Sequence, residues 1–212
     1  AAIDAVATTR EVGVIIDEWG AWHPEARGGT GLEQPGTVLD AVSAAVVLDV
    51  FNHHSDVMTM GNIAQTVNVL QCLVETDGDD AWARPTYRVF DLYAPHQGSE
   101  AVRTTVDAPV REREDGDDLP LVGGSASVDD DGTFVTLTNR DSRASHAVEV
   151  GLEGATAADV EGELLFGDHD PDAVCTADNA AEFEAASLDA RLADGTLTVE
   201  LPPVSVAAVS VE

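Results

Sequence analysis

The spacing of apolar positions changes near residue 99 of this 212-residue chain. Before that point, short apolar runs alternate with segments of helical period. Residues 11–17, EVGVIID, lack a polar face, the pattern of a strand buried on both sides of a parallel sheet. Residues 22–36, WHPEARGGTGLEQPG, carry the Gly and Pro of a long loop. Residues 37–56, TVLDAVSAAVVLDVFNHHSD, place Val38, Leu39, Val42, Val46 and Val50 along one helical stripe. Thr37 stands at the N-cap of that helix, with Asp40 in the capping-box position. A second strand is expected in VMTM (57–60), then a loop turning into a helix over NIAQTVNVLQCLVET (62–76). A further helix covers RPTYRVFDLYAPH (84–96), with Pro85 in its first turn. The opening AAIDAVATTR reads as a helix end. This order is that of two βα units in a parallel α/β sheet or barrel.

From residue 99 the period drops to two. AVRTTVDAP, ASVDDDGTFVTLTNR, HAVEVGLEG, ADVEGELLFG, SLDARLADGTLTVELPP and VSVAAVSVE alternate apolar and polar residues between Asp-Gly, Asn and Pro turns. Asp131-Gly132 and Asp194-Gly195 are hairpin signals. REREDGDD (111–118) is expected to be a long connection. The second half therefore reads as an antiparallel β-sandwich, and the whole chain as α/β plus all-β.

Charge changes the expected habitat and partners. Forty acids face ten bases, all of them Arg, for a formal net charge of −30. This resembles proteins adapted to molar salt, where a Debye length of about 3 Å lets surface acids repel weakly. It argues against nucleic acid and anionic membranes as partners, since both require basic patches. No stretch is long and apolar enough for a transmembrane helix. Cys72 and Cys175 stand far apart and form no disulfide framework, which fits two free thiols in a reducing cytoplasm.

Candidate chemistry begins at GVIIDEWGAW (13–22), where an apolar strand delivers Asp17 and Glu18 and then two of the three tryptophans, Trp19 and Trp22. Catalytic groups of a parallel barrel lie at the C-terminal ends of its strands, the position expected of Glu18. Glu18 is either a nucleophile or general acid/base, or one more solvated acid in an acidic protein. Aromatic faces stack on the C–H faces of sugars and exclude water, which favours the first reading. Asn62 and Gln65 follow the second strand, and their amides suit neutral hydroxyl groups, although ordinary polar residues at a helix start look the same. His53 and His54 adjoin at a helix end and project in different directions, so a shared metal is not expected. Asp168, Asp170 and Asp172 resemble a calcium loop only faintly, with Ala173 and Asn179 where its Gly and Glu would stand. There is no phosphate-binding Gly loop, zinc spacing or nucleophile elbow.

Together, DEWGAW, NIAQTVNVLQ, PTYRVFDLYAPHQG and the closing DNAAEFEAASL…GTLTVELPPVSVAAVSVE resemble the C-terminal portion of glycoside hydrolase family 51, the α-L-arabinofuranosidases. The resemblance implies a (β/α)8 barrel followed by a jelly-roll-like β-sandwich. It assigns 1–98 to the last units of the barrel, strands seven and eight, and 99–212 to the sandwich. It implies retaining hydrolysis of terminal arabinofuranosyl groups on arabinan- or arabinoxylan-type glycans, with no cofactor. By motif, Glu18 matches the family's nucleophile and Gln65 the Gln that hydrogen-bonds the sugar being cleaved. Trp22 matches an aromatic residue lining the site, and Asn62 is a further substrate-binding candidate. Gly20 stands where many relatives have Asn.

The family's acid/base is the Glu of an Asn-Glu pair, and no such pair occurs in the chain. The first six barrel strands would precede Ala1, so the chain is expected to be a fragment that needs the remainder of the barrel or self-association. Two alternatives stand beside this reading. One is a non-catalytic sandwich that binds carbohydrate or a partner. The other is a different retaining glycosidase, such as a β-xylosidase. One prediction follows from charge alone: the fold is expected to require roughly molar salt, because only then is self-repulsion screened. Circular dichroism against KCl concentration checks this; full folding at about 50 mM salt, with a Debye length well above 10 Å, would overturn it.

Overall fold

The computed structural model describes residues 12–29, 31–114, 116–153 and 159–212. The helix end expected over residues 1–10 lies outside them. The first half opens with β1 (Val14–Trp19), a long loop, helix α1 (Val38–His53) and β2 (Met58–Ile63). A hairpin of β3 (Val74–Asp77) and β4 (Asp80–Ala83) follows, then helix α2 (Pro85–Leu92). β1 and β2 pair in parallel, with α1 as their crossover.

The rest is antiparallel. β5 (Glu100–Val102), β8 (Val122–Val128), β9 (Thr133–Asn139), β11 (Val160–Leu165), β12 (Ala186–Ser187) and β15 (Ser205–Val211) make a six-stranded sheet in the order β12-β11-β15-β9-β8-β5. β10 (His146–Gly151), β13 (Arg191–Ala193) and β14 (Thr196–Leu201) make a three-stranded sheet in the order β10-β14-β13. A small hairpin of β6 (Val110–Arg111) and β7 (Leu119–Pro120) brackets the acidic 112–118 connection.

β15 shows why the layers stack as they do. Its sequence SVAAVSV is apolar on both faces and almost fully buried. Ala207, Val209 and Val211 meet Val122, Val135, Leu137, Leu197, Val199 and Leu201 between the two sheets. Val206 and Ala208, on the other face, meet Val38, Ala41, Val42 and Ala45 of α1 and Val89 and Leu92 of α2. The molecule is therefore three layers: helices, six-stranded sheet, three-stranded sheet. Each fully buried Val or Leu contributes about 1.5–3 kcal/mol, so this central strand anchors both interfaces.

A polar seam runs through the helix–sheet interface. The Asp49 carboxylate, only 3% exposed, accepts hydrogen bonds from Tyr93 Oη (2.9 Å), Ser125 Oγ (2.8 Å), Thr136 Oγ1 (3.2 Å) and Thr138 Oγ1 (3.3 Å). Asn52 Nδ2 donates to Ser125 Oγ, and the His53 Nε2 atom lies 2.9 Å from the Gly124 carbonyl oxygen. His96, just past α2, shares hydrogen bonds with Ser127 and Thr136, and its ring packs edge-on to Phe134. These partners satisfy groups that would each cost about 1–3 kcal/mol if left bare.

Three expectations are corrected. No helix follows β2: residues 64–73 are loop and 74–83 are the β3–β4 hairpin, turned at Gly78 with φ +59°. The buried stripe of α1 runs through Val38, Ala41, Val42, Ala45 and Asp49, while Leu39 and Val50 face out. The helix is apolar nearly all round, so period alone did not pick its inner face. β1 is not buried on both sides either: among the described residues it pairs only with β2, and Ile15 is 54% exposed. The Thr37–Asp40 capping box and the two Asp-Gly hairpins are as expected.

Burial holds the His96 imidazole down at about 4, against its ordinary 6.5. Between those values the unfolded chain carries a proton that the folded chain refuses. Stability from the neutral ring is therefore complete above the unfolded value and lost as pH falls toward the folded one. Burial raises the Asp49 carboxyl, which works in the opposite direction, its contribution being lost as pH rises. The difference between wild type and His96→Gln isolates the ring. Urea midpoints are expected to drop more for wild type than for His96→Gln between about pH 7 and about pH 4.5; equal drops would show that the ring titrates freely.

Candidate functional site

The site candidates gather at the C-terminal edge of β1 and β2. Ile16 pairs with Gly61 and Trp19 with Ile63, so β1 carries one more residue than β2 over this span. That extra residue makes a bulge at Asp17-Glu18, and bulges re-aim side chains next to functional sites. Both carboxylates are exposed, and strict alternation of faces does not hold across the bulge.

Parallel pairing brings Gln65 to the same edge. Ala64 N donates to Trp19 O at 2.9 Å, and the Ala64–Gln65 peptide bond is cis. Gln65 itself is exposed, as is Asn62 near the end of β2. Gly20 follows with φ +143°, a conformation that disfavours any other residue, and a Cβ there would sit 3.2 Å from Gln71 Oε1.

The two tryptophans part company. Trp19 stacks on Phe90 (5.8 Å between ring centroids, 13° between planes) and meets Phe51 edge-on. It packs between strand and helices and is not an open platform. Trp22 is 49% exposed.

Behind the exposed edge lies a buried polar scaffold that sequence reading missed. Arg84, the N-cap residue of α2, is 1% exposed. Its Nη2 donates to Gln34 O (2.7 Å), its Nη1 to Leu70 O (3.0 Å) and its Nε to Glu75 Oε2 (2.7 Å). One guanidinium thus joins the loop after β1, the loop after β2 and the β3 strand. Gly36 lies against its stem, where a Cβ would come within 2.7 Å of Arg84 Cδ. Asp40 accepts from Thr37 N and Thr37 Oγ1 through Oδ2, and its Oδ1 lies 2.7 Å from His23 Nε2. Gln34 and Gln71, 5% and 2% exposed, hydrogen-bond the backbone of residues 21–23. Gln71, inside the apolar run VLQCLV, was the one visible signal, since a Gln there must find buried partners.

The sandwich reaches into this region as well. Residues 171–175 cross to the start of α1, where Val38 N donates to Ala173 O (3.3 Å), Leu39 N to Pro171 O (3.0 Å) and Cys175 N to Gly36 O (3.0 Å). These bonds satisfy peptide groups that a helix start leaves bare. Asp172 N bonds Asp170 Oδ1 within this segment, and among the described residues no three His, Cys, Asp or Glu side chains converge as a metal site. Both thiols are buried and unpaired; burial raises the Cys72 thiol and pushes Cys175 up to about 11, which keeps them protonated and unreactive.

Comparisons with known proteins identify the family. The model of the α-L-arabinofuranosidase C-terminal domain matches residues 17–205. An intracellular exo-α-L-arabinofuranosidase of Bacteroides ovatus is 30% identical over 207 residues, covering 96% of this chain and 40% of that protein. The family 51 arabinofuranosidase of Xanthomonas axonopodis pv. citri superposes with a TM-score of 0.86 at 34% identity, over 95% of this chain and 41% of that one. AbfB of Bifidobacterium longum, also of family 51, gives a TM-score of 0.87 at 25% identity, over 100% of this chain and 44% of that one. The chain thus spans under half the length of these relatives. With a match running from the Asp17-Glu18 bulge to the last strand, the chain belongs to the family of α-L-arabinofuranosidase C-terminal domains.

Proposed function

We propose that this chain is the nucleophile-bearing part of a retaining α-L-arabinofuranosidase that removes terminal arabinofuranosyl groups from arabinan- or arabinoxylan-type glycans. The observation that carries the reading is the shared edge of β1 and β2, with Glu18 on a bulge, Gln65 just beyond the neighbouring strand and Trp22 exposed beside them. In this reading β1, α1 and β2 are the last units of a (β/α)8 barrel, residues 1–98 belong to it, and residues 99–212 form the sandwich. Retaining hydrolysis needs two carboxyl groups about 5–5.5 Å apart. Glu18 attacks the anomeric carbon and forms a glycosyl-enzyme. The second group protonates the leaving oxygen and then activates water to release the sugar. Gln65 holds a sugar hydroxyl, Asn62 stands by as a second amide, and Trp22 covers an apolar sugar face.

The acid/base comes from outside these 212 residues, since no Asn-Glu pair is among them. The register partners Ile15 (54% exposed) and Met60 (50%) leave apolar surface on the strand pair that suits packing against the remaining barrel. An intracellular location fits the two buried free thiols and the name of the Bacteroides ovatus relative. The non-catalytic alternative has less support. The sandwich half contains only three aromatic residues, of which Phe166 and Phe183 are 3% and 2% exposed and Phe134 packs into the core. It offers no sugar-stacking platform.

The gene upstream of Ala1 is expected to encode six further βα units and the Asn-Glu pair. In the enzyme so completed, Glu18→Ala is expected to abolish turnover of an aryl α-L-arabinofuranoside, and azide to restore part of it with inverted product. Near-normal activity in Glu18→Ala would overturn the assignment. The chain alone is expected to show no turnover at high salt, since it lacks an acid that typically contributes about 10²–10⁴-fold and the positioning that supplies about 7–11 kcal/mol.

A further inference from the structure

Trp22 is a half-exposed residue on a loop, yet its flanking peptide groups are not left to water. Gln34 Nε2 donates to Ala21 O at 3.1 Å, and His23 N donates to Gln34 Oε1 at 3.0 Å. One side-chain amide therefore pairs with the residues on both sides of Trp22, as a neighbouring strand would. Ala21 N donates to Gln71 Oε1 at 2.6 Å, and Gln71 Nε2 in turn donates to the Asp40 carbonyl. The His23 ring is fixed on Asp40 at 2.7 Å. Arg84 completes the frame by holding the carbonyls of Gln34 and Leu70, next to the two amides.

Burying and ordering a Gln side chain costs it rotamer freedom. Water would satisfy the same peptide groups of an exposed loop without that cost. What the amides add is a single backbone conformation on either side of one indole.

We propose that Gln34 and Gln71 are positioning residues that fix the Ala21–Trp22–His23 segment, so that the Trp22 indole is ordered before any sugar arrives. A wandering indole would have to be immobilised on binding, at a cost in entropy. Pre-ordering removes that cost. The importance of Trp22 for sugar binding rests on the function proposed above; the ordering of the segment does not.

The test reads Trp22 directly in the chain as it stands. The sequence has three tryptophans, so the chain labelled with 5-fluorotryptophan gives three fluorine resonances at high salt, with the Trp22 line assigned by its loss in Trp22→Phe. Gln34→Leu and Gln71→Leu are expected to broaden or split the Trp22 line and leave Trp82, in β4, unmoved. Gln34→Glu keeps the acceptor for His23 N but loses the donor to Ala21 O, so its Trp22 line is expected to fall between wild type and Gln34→Leu. An unchanged Trp22 line in a folded Gln34→Leu or Gln34→Glu chain overturns the proposal. If Gln34→Leu fails to fold, shown by loss of the Trp82 line, the Gln34→Glu spectrum decides alone. In the completed enzyme, Gln34→Glu is expected to raise KM several-fold for the aryl arabinofuranoside while kcat changes less. A completed enzyme with no arabinofuranosidase activity would defeat the proposed function and leave the fluorine result standing. A normal KM with a disordered Trp22 would instead remove Trp22 from sugar binding.

Discussion

Two parallel strands cannot bury their own faces, and everything at the candidate site depends on how β1 and β2 are held despite that. The support comes from α1, the helix between them. Its inner side packs with α2 on the six-stranded sheet through Val38, Val42, Ala45 and their partners on β15. Asp49 fastens its second half to β8 and β9 through hydroxyl groups. At its start, the Thr37–Asp40 box and the carbonyls of Pro171 and Ala173 satisfy the first peptide groups. A helix anchored at both ends gives the strand pair a fixed base, and Phe51, pressed on Gly61 of β2, transmits it.

Much of this was legible in the sequence because it depends on local chemistry. A capping box needs residues three apart, and a hairpin needs its turn, so Thr37, Asp40, Asp131-Gly132 and Asp194-Gly195 declared themselves. Alternation identified strands such as β10, β11 and β14 because each buries one face more than the other, whereas β15 is buried on both. Where both faces are apolar, as in α1, period says little and the inner face is set by what packs against it. The β3–β4 hairpin was hidden for a related reason. VNVLQCLVET fits a helix as well as a strand, and only its pairing across the turn at Gly78 decides for the strand.

The same division runs through the site. Glu18, Trp22, Asn62 and Gln65 were visible as residue types in motifs at strand ends. Their supports were not. Gln34, Gln71, His23 and Arg84 work by satisfying backbone groups far away in sequence, and no spacing rule records such pairs. Trp19 had the same type and neighbourhood as Trp22, yet Phe51 and Phe90 claim it for the core. Which of two tryptophans stays open is decided by tertiary packing alone.

The crossing of residues 171–175 over the start of α1 bears on how such proteins can be rearranged in evolution. A free boundary at residue 98 would let one sandwich be exchanged for another by recombination. The first peptide groups of α1, however, are capped by backbone from beyond that boundary, and Gly36 is bonded to Cys175. An exchanged sandwich without an equivalent crossing would leave the helix start bare and the loop behind Glu18 untethered. An exchange at residue 98 would therefore have to bring its own cap for α1 along with the new sandwich.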